Sequence, residues 1–140
     1  SRAYCETPLW PLQKTVANIN IEMIGRPEEG ADSKAWGTGW TRSSLGSQLA
    51  AGAERVGVEI FHREDVSEML YTRSDNYAFV GKGVIAHSYS AGSLHSDYHR
   101  PTDEVERLNI PHMTHVIQGL FAGSLPLAWG ELTPVVTESK

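Results

Sequence analysis

The sequence predicts an α/β fold in which a mixed sheet is flanked by helices. Segments with a strand-like alternation of side chains are followed by segments with helical spacing, in the order β, β, α, β, α, β, α. A chain of 140 residues that is 40% hydrophobic and 21% charged is long enough and apolar enough for one core. No internal repeat and no linker divides it, so residues 1–140 are treated as one domain.

The first two strands are predicted from alternation. Pro8 and Pro11 disfavour a helix in the opening stretch. Residues 15–24 alternate with period two, and the face that includes three polar residues consists of Val16, Asn18, Asn20 and Glu22. A polar, Gly-containing loop follows over 25–33, and residues 36–40 predict a short strand weakened by two glycines.

The remaining elements alternate between helix and strand. The predicted helical segments are 43–53, which begins with two serines suited to capping, a turn over 66–70, then 76–82 and 110–122. Residues 56–62 and 84–90 are rich in β-branched and aromatic side chains and predict strands. Between the last strand and the last helix, residues 91–103 form a loop.

Composition excludes several classes of function. The net charge is −5, which argues against a polybasic nucleic-acid binder. A single cysteine, Cys5, excludes an intramolecular disulfide framework and a cysteine-rich zinc module. No stretch approaches the roughly 20 apolar residues of a membrane helix. We therefore expect neither a nucleic acid nor a membrane as a partner.

Residue types that can take part in catalysis or metal binding concentrate where strands end. Open α/β sheets place their functional sites at these strand ends. Residues 22–26 follow the first strand, and residues 91–103 contain two histidines, two aspartates, a tyrosine and an arginine. A histidine and a carboxylate are suitable zinc ligands. Residue type alone leaves His99 open between a ligand and a solvent-exposed side chain, and leaves Glu22 open between a ligand and a polar strand face.

Three stretches of the sequence, taken together, are more specific than residue type alone. They are KTVANINIEMIGR (14–26), YTRSDNYAFVGKGVIAH (71–87) and GSLHSDYHRPTDEVERLN (92–109), with a weaker fourth, RSSLG, at 42–46. In this order they resemble the M28 family of zinc-dependent metallopeptidases, in its aminopeptidase-like branch. The resemblance implies the C-terminal part of a zinc-exopeptidase (phosphorylase/hydrolase-like) fold, peptides as substrate and two zinc ions in the intact site.

The resemblance also implies residue roles. Glu22 and His99 would be metal ligands, although the commoner pattern of the family has Asp at the position of Glu22. Tyr98 would stabilise the oxyanion and Arg73 would hold substrate or the same charge. Three aspartates would support these residues without contacting substrate: Asp75, Asp97 and Asp103.

Part of the family pattern is not found in these 140 residues. The family has a His-x-Asp motif and a Glu-Glu pair, which supplies the general base, upstream of the stretches above. The pair Glu28-Glu29 follows the acidic strand end and is in the wrong order. We therefore expect residues 1–140 to be the C-terminal half of a catalytic domain, with an incomplete zinc site, no general base and no activity by itself.

Two other functions stay open at this point. A non-catalytic binding domain could keep the same fold, and a glutaminyl-cyclase-like enzyme would suit Glu at position 22. A half-sheet also predicts self-association, or pairing with the missing N-terminal half, through its uncovered edge. The location of the protein is not determined by these residues, although the relatives implied by the resemblance are often exported to the periplasm or the extracellular space.

Overall fold

The computed structural model describes residues 1–92 and 94–137. Its centre is a four-stranded mixed sheet with the spatial order β1-β4-β2-β3. Strand β1 is parallel to β4, β2 is parallel to β3, and β4 is antiparallel to β2. The strands are β1 (Asn18–Ile21), β2 (Lys34–Gly37), β3 (Glu59–His62) and β4 (Ala86–Ser90). The predicted α/β class with a mixed sheet is confirmed.

Five α-helices occur in the described residues. They are α1 (Arg2–Glu6), α2 (Leu45–Glu54), α3 (Ser67–Tyr71), α4 (Asn76–Val80) and α5 (Ile110–Ala128). Short 3-10 turns cover Leu12–Lys14, Trp40–Arg42 and Val105–Arg107. None of these helices combines the length and the hydropathy needed to cross a bilayer.

Two element predictions are wrong in detail. The opening stretch does contain a helix, because α1 ends at Glu6, before the first proline can interrupt it. The last helix continues six residues beyond the predicted end at 122, to Ala128. Gly123 does not terminate it. This glycine is buried where α5 crosses α2, and a β-carbon there would lie 2.5 Å from the carbonyl oxygen of Leu49.

One face of the sheet, here called the apolar face, packs against α2 and α5. Tyr89 of β4 and Ile60 of β3 project into this core, where both are buried. The helices contribute an apolar row that includes Leu45, Leu49, Val116 and Leu120. The two helices also approach closely at Gly52 and Gly123, where a β-carbon on Gly52 would lie 2.5 Å from the Cα atom of Gly123.

The opposite face, here called the polar face, packs against α4 and carries Asn20 of β1 and Ser88 of β4. Beside it lies a small apolar cluster of Cys5, Leu12 and Val84. Strand β1 is one edge of the sheet within the described residues. Association through this edge stays a prediction.

Candidate functional site

Glu22 lies directly after β1 on the polar face. Its backbone N–H donates to the carbonyl of Tyr89 at 3.0 Å, which extends the ladder to β4 by one residue. The alternation predicted from the sequence therefore places the Glu22 and Asn20 side chains on one side of the strand. At Met23 the alternation ends, because its φ of 50° is left-handed and turns the chain.

A chain of hydrogen bonds orients the Glu22 carboxylate. The Ser74 hydroxyl donates to Oε2 of Glu22 at 2.5 Å, and Nδ2 of Asn20 donates to the Ser74 oxygen at 3.0 Å. Asn20 also donates to Ser88 at 2.9 Å, and Ser88 donates to the buried Oδ1 of Asn76 at 3.0 Å. These hydrogen bonds connect Glu22 through polar groups to the centre of the sheet, and they do not involve its Oε1 atom.

Tyr98 and His99 lie in the loop between β4 and α5. The loop is built from consecutive turns in which the N–H of Tyr98 donates to the carbonyl of His95, and the N–H of Arg100 donates to that of Asp97. His99 has a φ of 57°, a left-handed conformation that costs a non-glycine residue about 1–3 kcal/mol. This conformation accompanies stacking of the two rings, whose centroids are 3.9 Å apart with an interplanar angle of 17°.

Asp97 and Asp103 both bind the guanidinium of Arg26. Nη2 of Arg26 is 3.0 Å from Oδ2 of Asp97, and Nη1 is 2.8 Å from Oδ1 of Asp103. A hydrogen bond from Thr102, followed by that from Arg26, lowers the pKa of Asp97. The hydrogen bond to Asp103 is the main cause that raises the pKa of Arg26. Both aspartates are therefore occupied in holding the loop.

Asp75 is positioned by a different contact. It occupies the N-cap position of α4, but its side chain does not cap the helix. Its Oδ1 atom accepts a hydrogen bond from the Ser1 hydroxyl at 2.5 Å. The expected supporting role of Asp75 is untested, and its observed contact is with the beginning of the described chain.

Five of the seven predicted site residues line one open cleft on the polar side of the molecule, whereas Asp97 and Asp103, which bind Arg26, do not. Its lining includes Glu22, Arg73, Asp75, Tyr98 and His99. A smaller adjoining cavity of about 110 Å³ shares Glu22, Arg73 and Tyr98 with the cleft. The rest of its wall is formed by the apolar side chains of Met23, Trp36, Leu70 and Leu94, together with Ser74, Ser90 and Gly92.

The donor types in the cleft fit zinc, because zinc accepts carboxylate oxygen and imidazole nitrogen. The number of donors is smaller than a complete site needs. Among the described residues no group of three or more His, Cys, Asp or Glu side chains is arranged to hold a metal ion. The pair Glu28-Glu29 adds nothing to the cleft, since Glu28 binds Arg63 with an N–O distance of 2.6 Å.

Two residues at this site had no role in the sequence prediction. Ser74 lies inside the Arg-Ser-Asp stretch, and its contact with Glu22 spans 52 positions of sequence. Arg26 closes the first quoted stretch and reaches Asp97 across 71 positions. The sequence signal for both residues was their position inside stretches that carry the family resemblance. Their partners could not be read from those stretches, because the contacts depend on the pairing of β1 with β4.

Known proteins share features with this chain at the level of sequence family and of fold. The profile of Peptidase family M28 matches residues 1–122. The chain belongs to peptidase family M28. A search among curated proteins found no match. Among solved structures, this M28 chain is similar to BSAP, a zinc aminopeptidase from Bacillus subtilis, with a TM-score of 0.67 and 17% identity. The alignment covers 99% of this chain and 33% of BSAP.

An aminopeptidase from Aneurinibacillus sp. strain AM-1 is also similar, with a TM-score of 0.65 and 14% identity over 99% of this chain and 30% of that protein. At these identities the likeness establishes the fold. The M28 chain spans about a third of the length of the solved structures that it matches. The resemblance inferred from the sequence motifs is confirmed at the level of the family and the fold.

Proposed function

We propose that this chain forms part of a zinc-dependent aminopeptidase that hydrolyses the N-terminal residue from peptides. Membership of family M28 supports a hydrolytic function, and the observation that carries the proposal is the shared cleft. Two candidate ligands, Glu22 and His99, and two candidate polar groups for substrate, Arg73 and Tyr98, line it together although they come from three separate stretches of sequence.

Glu22 and His99 would hold zinc in this proposal. When bound, zinc polarises the scissile carbonyl and lowers the pKa of its water. The Ser74 hydroxyl orients the Glu22 carboxylate by binding Oε2, and the ring of Tyr98 limits the orientations of the His99 imidazole by stacking on it. The remaining ligands and the general base would come from polypeptide outside these 140 residues.

Tyr98 and Arg73 act on the substrate. The phenol of Tyr98 is partly exposed to the cleft and would donate a hydrogen bond to the oxygen that gains negative charge during hydrolysis. The guanidinium of Arg73 would bind a carbonyl or carboxylate of the peptide, because arginine presents several N–H donors in a planar fork. The adjoining cavity would take an apolar side chain at the substrate N-terminus, since most of its wall is apolar.

Zinc binding by the purified chain tests the ligand assignment. Zinc titration by competition with a chromophoric chelator is expected to show one weak site per chain, because a pair of ligands binds zinc less tightly than a four-ligand set. His99→Ala should weaken binding at least tenfold, whereas the control His115→Ala, on the exposed side of α5, should not. Equal affinity in the wild type and His99→Ala would remove His99 as a ligand.

An aminoacyl-anilide assay on the same chain tests the expectation that it is inactive alone. We expect no turnover above that of the metal-containing buffer. Two tightly held zinc ions per chain together with turnover would overturn the expectation of an incomplete site. Conversion of an N-terminal glutaminyl peptide in place of anilide hydrolysis would favour the glutaminyl-cyclase-like alternative.

A further inference from the structure

Arg26 links the two parts of the chain that carry the candidate ligands. It follows Glu22 by four residues at the end of β1, and its guanidinium binds the aspartates on either side of the Tyr98-His99 pair. Only 22% of its side chain is exposed, and Asp97 is 17% exposed. A single side chain therefore bridges the strand end that positions Glu22 and the loop that positions His99.

The tip of this loop, residues 95–103, is where that bridge attaches. The two ends of the segment around it are held by other contacts: Trp36 Nε1 donates to the carbonyl of Gly92 at 3.1 Å, and the N–H of Asn109 donates to that of Gly25 at 2.8 Å. At the tip, the hydrogen bonds within the described residues are either internal to the loop or made to Arg26.

The strained residue of the loop lies between the two anchors. The left-handed backbone of His99 persists only if its surroundings hold it, because a non-glycine residue released from such constraints relaxes to a negative φ. The anchors occur two positions before and four positions after His99 in the chain, so they restrain the turn from both sides.

We propose that Arg26 is the positioning residue of this site: its bidentate bridge to Asp97 and Asp103 holds His99 in its left-handed conformation, with its ring stacked on that of Tyr98. The inference rests on the proposed function for its catalytic meaning, because it assigns Arg26 the task of setting the distance between two candidate ligands. Asp97 and Asp103 then act through Arg26 and do not contact the metal or the substrate.

NMR of the full 140-residue chain without metal tests the bridge directly. In Arg26→Met, backbone order parameters over 97–103 should fall from values typical of rigid backbone, about 0.85, to below about 0.6. The ring-current shift of the His99 imidazole protons should disappear as the stack opens. Arg100→Met is the matched control, since Arg100 lies in the same loop and forms no ion pair in the part of the chain that the structure describes. Unchanged loop order and unchanged His99 shifts in Arg26→Met would overturn the proposal.

Zinc titration then separates this proposal from the proposed function. If Glu22 and His99 bind zinc, Arg26→Met should weaken zinc affinity by about 10- to 100-fold, which is the usual effect of losing groups that orient ligands, and Arg26→Lys should recover part of it. If the wild-type chain binds no zinc, the proposed ligand assignment fails, and the bridge is still decided by the order parameters.

A milder variant covers the case in which Arg26→Met does not fold. Asp103→Asn keeps the size of the side chain and removes one charged end of the bridge. It should produce a smaller loss of order confined to the same loop. Loop order equal to wild type in a folded Asp103→Asn variant, with the His99 shifts retained, would show that the bridge does not hold the loop.

Discussion

The two faces of the sheet are held by different forces. On the apolar face, β4 and β3 pack against α2 and α5 through large side chains and through glycine contacts that leave no room for a β-carbon. On the polar face, asparagine and serine side chains bind one another in a chain that leads from buried Asn76 to Glu22. The apolar face contains the larger of the two buried apolar clusters in the described residues, and the hydrogen bonds of the polar face orient Glu22 at the candidate site.

Because the two faces differ in this way, substitutions on them should have different effects. A substitution on the apolar face changes volume, so its effect should appear in the free energy of unfolding. A substitution on the polar face removes a hydrogen bond that orients a group, so its effect should appear partly in stability and partly in ligand affinity.

Gly52→Val should cause the largest loss of stability, about 3 kcal/mol, because the new side chain meets the backbone of α5 at Gly123 and the two helices must separate. Urea denaturation monitored by circular dichroism measures it. Ala51→Val, on the exposed side of the same helix, is the control and should cost less than about 1 kcal/mol. Similar losses in both variants would show that helix propensity, and not the close contact, dominates.

His87 is a polar residue on the apolar face, and its contribution should depend on pH. It is 2% exposed and its Nε2 lies 2.6 Å from the Ser43 hydroxyl oxygen. Burial is the main cause that lowers its pKa from 6.5 to about 4. The unfolded chain therefore takes up a proton first as pH falls, and stability should be lost between about pH 6.5 and 4, by about 3 kcal/mol at most.

Urea denaturation between pH 7.5 and 4 checks this dependence on wild type and His87→Gln. The difference between the two stability profiles isolates His87 from the carboxylates, which titrate in both proteins. Parallel profiles for wild type and His87→Gln would contradict a buried neutral imidazole.

Asn76→Ala tests the buried end of the series of hydrogen bonds on the polar face and should lower the free energy of unfolding by about 2 kcal/mol. The amide of Asn76 donates to the carbonyls of Tyr71 and Ala86 and accepts from Ser88, and all of these partners would be left without it. Thermal unfolding measures the loss, with the exposed Gln118→Ala as the control. A loss equal to that of the control would mean that water replaces the amide.

Ser74→Ala should have the smallest effect on folding and a selective effect on the site. The hydroxyl that orients Glu22 is lost, so zinc affinity should fall about tenfold while the free energy of unfolding changes by less than about 1 kcal/mol. Zinc titration beside urea denaturation separates the two quantities. Ser47→Ala is the control, because the Ser47 hydroxyl donates to the carbonyl of Ser44 at the N-cap of α2 and lies away from the candidate site. A stability loss without a change in affinity would place Ser74 with the structural residues.

Much of the fold was accessible from local patterns. Alternation over 15–24 predicted β1 and the side on which Glu22 lies, and helical spacing predicted α2 within one residue of its observed end. The length of α5 was not predicted, because Gly123 is a helix-ending signal in isolation and becomes a contact residue only against Leu49 of α2. The opening helix was not predicted, because Pro8 and Pro11 disfavour a helix in that segment. The helix α1 nevertheless forms, since it ends at Glu6, before the first proline.

Short stretches of neighbouring residues were enough to indicate the family and the kinds of side chain expected at the candidate site, namely carboxylate, imidazole, phenol and guanidinium. The polar groups that orient these side chains are not apparent from any one stretch, because they come from distant parts of the chain. The hydrogen bond from Ser74 to Glu22 and the bridge from Arg26 to Asp97 join residues 52 and 71 positions apart. Such contacts follow from the parallel pairing of β1 with β4, because burial of the apolar face selects the register and thereby fixes what meets on the other side.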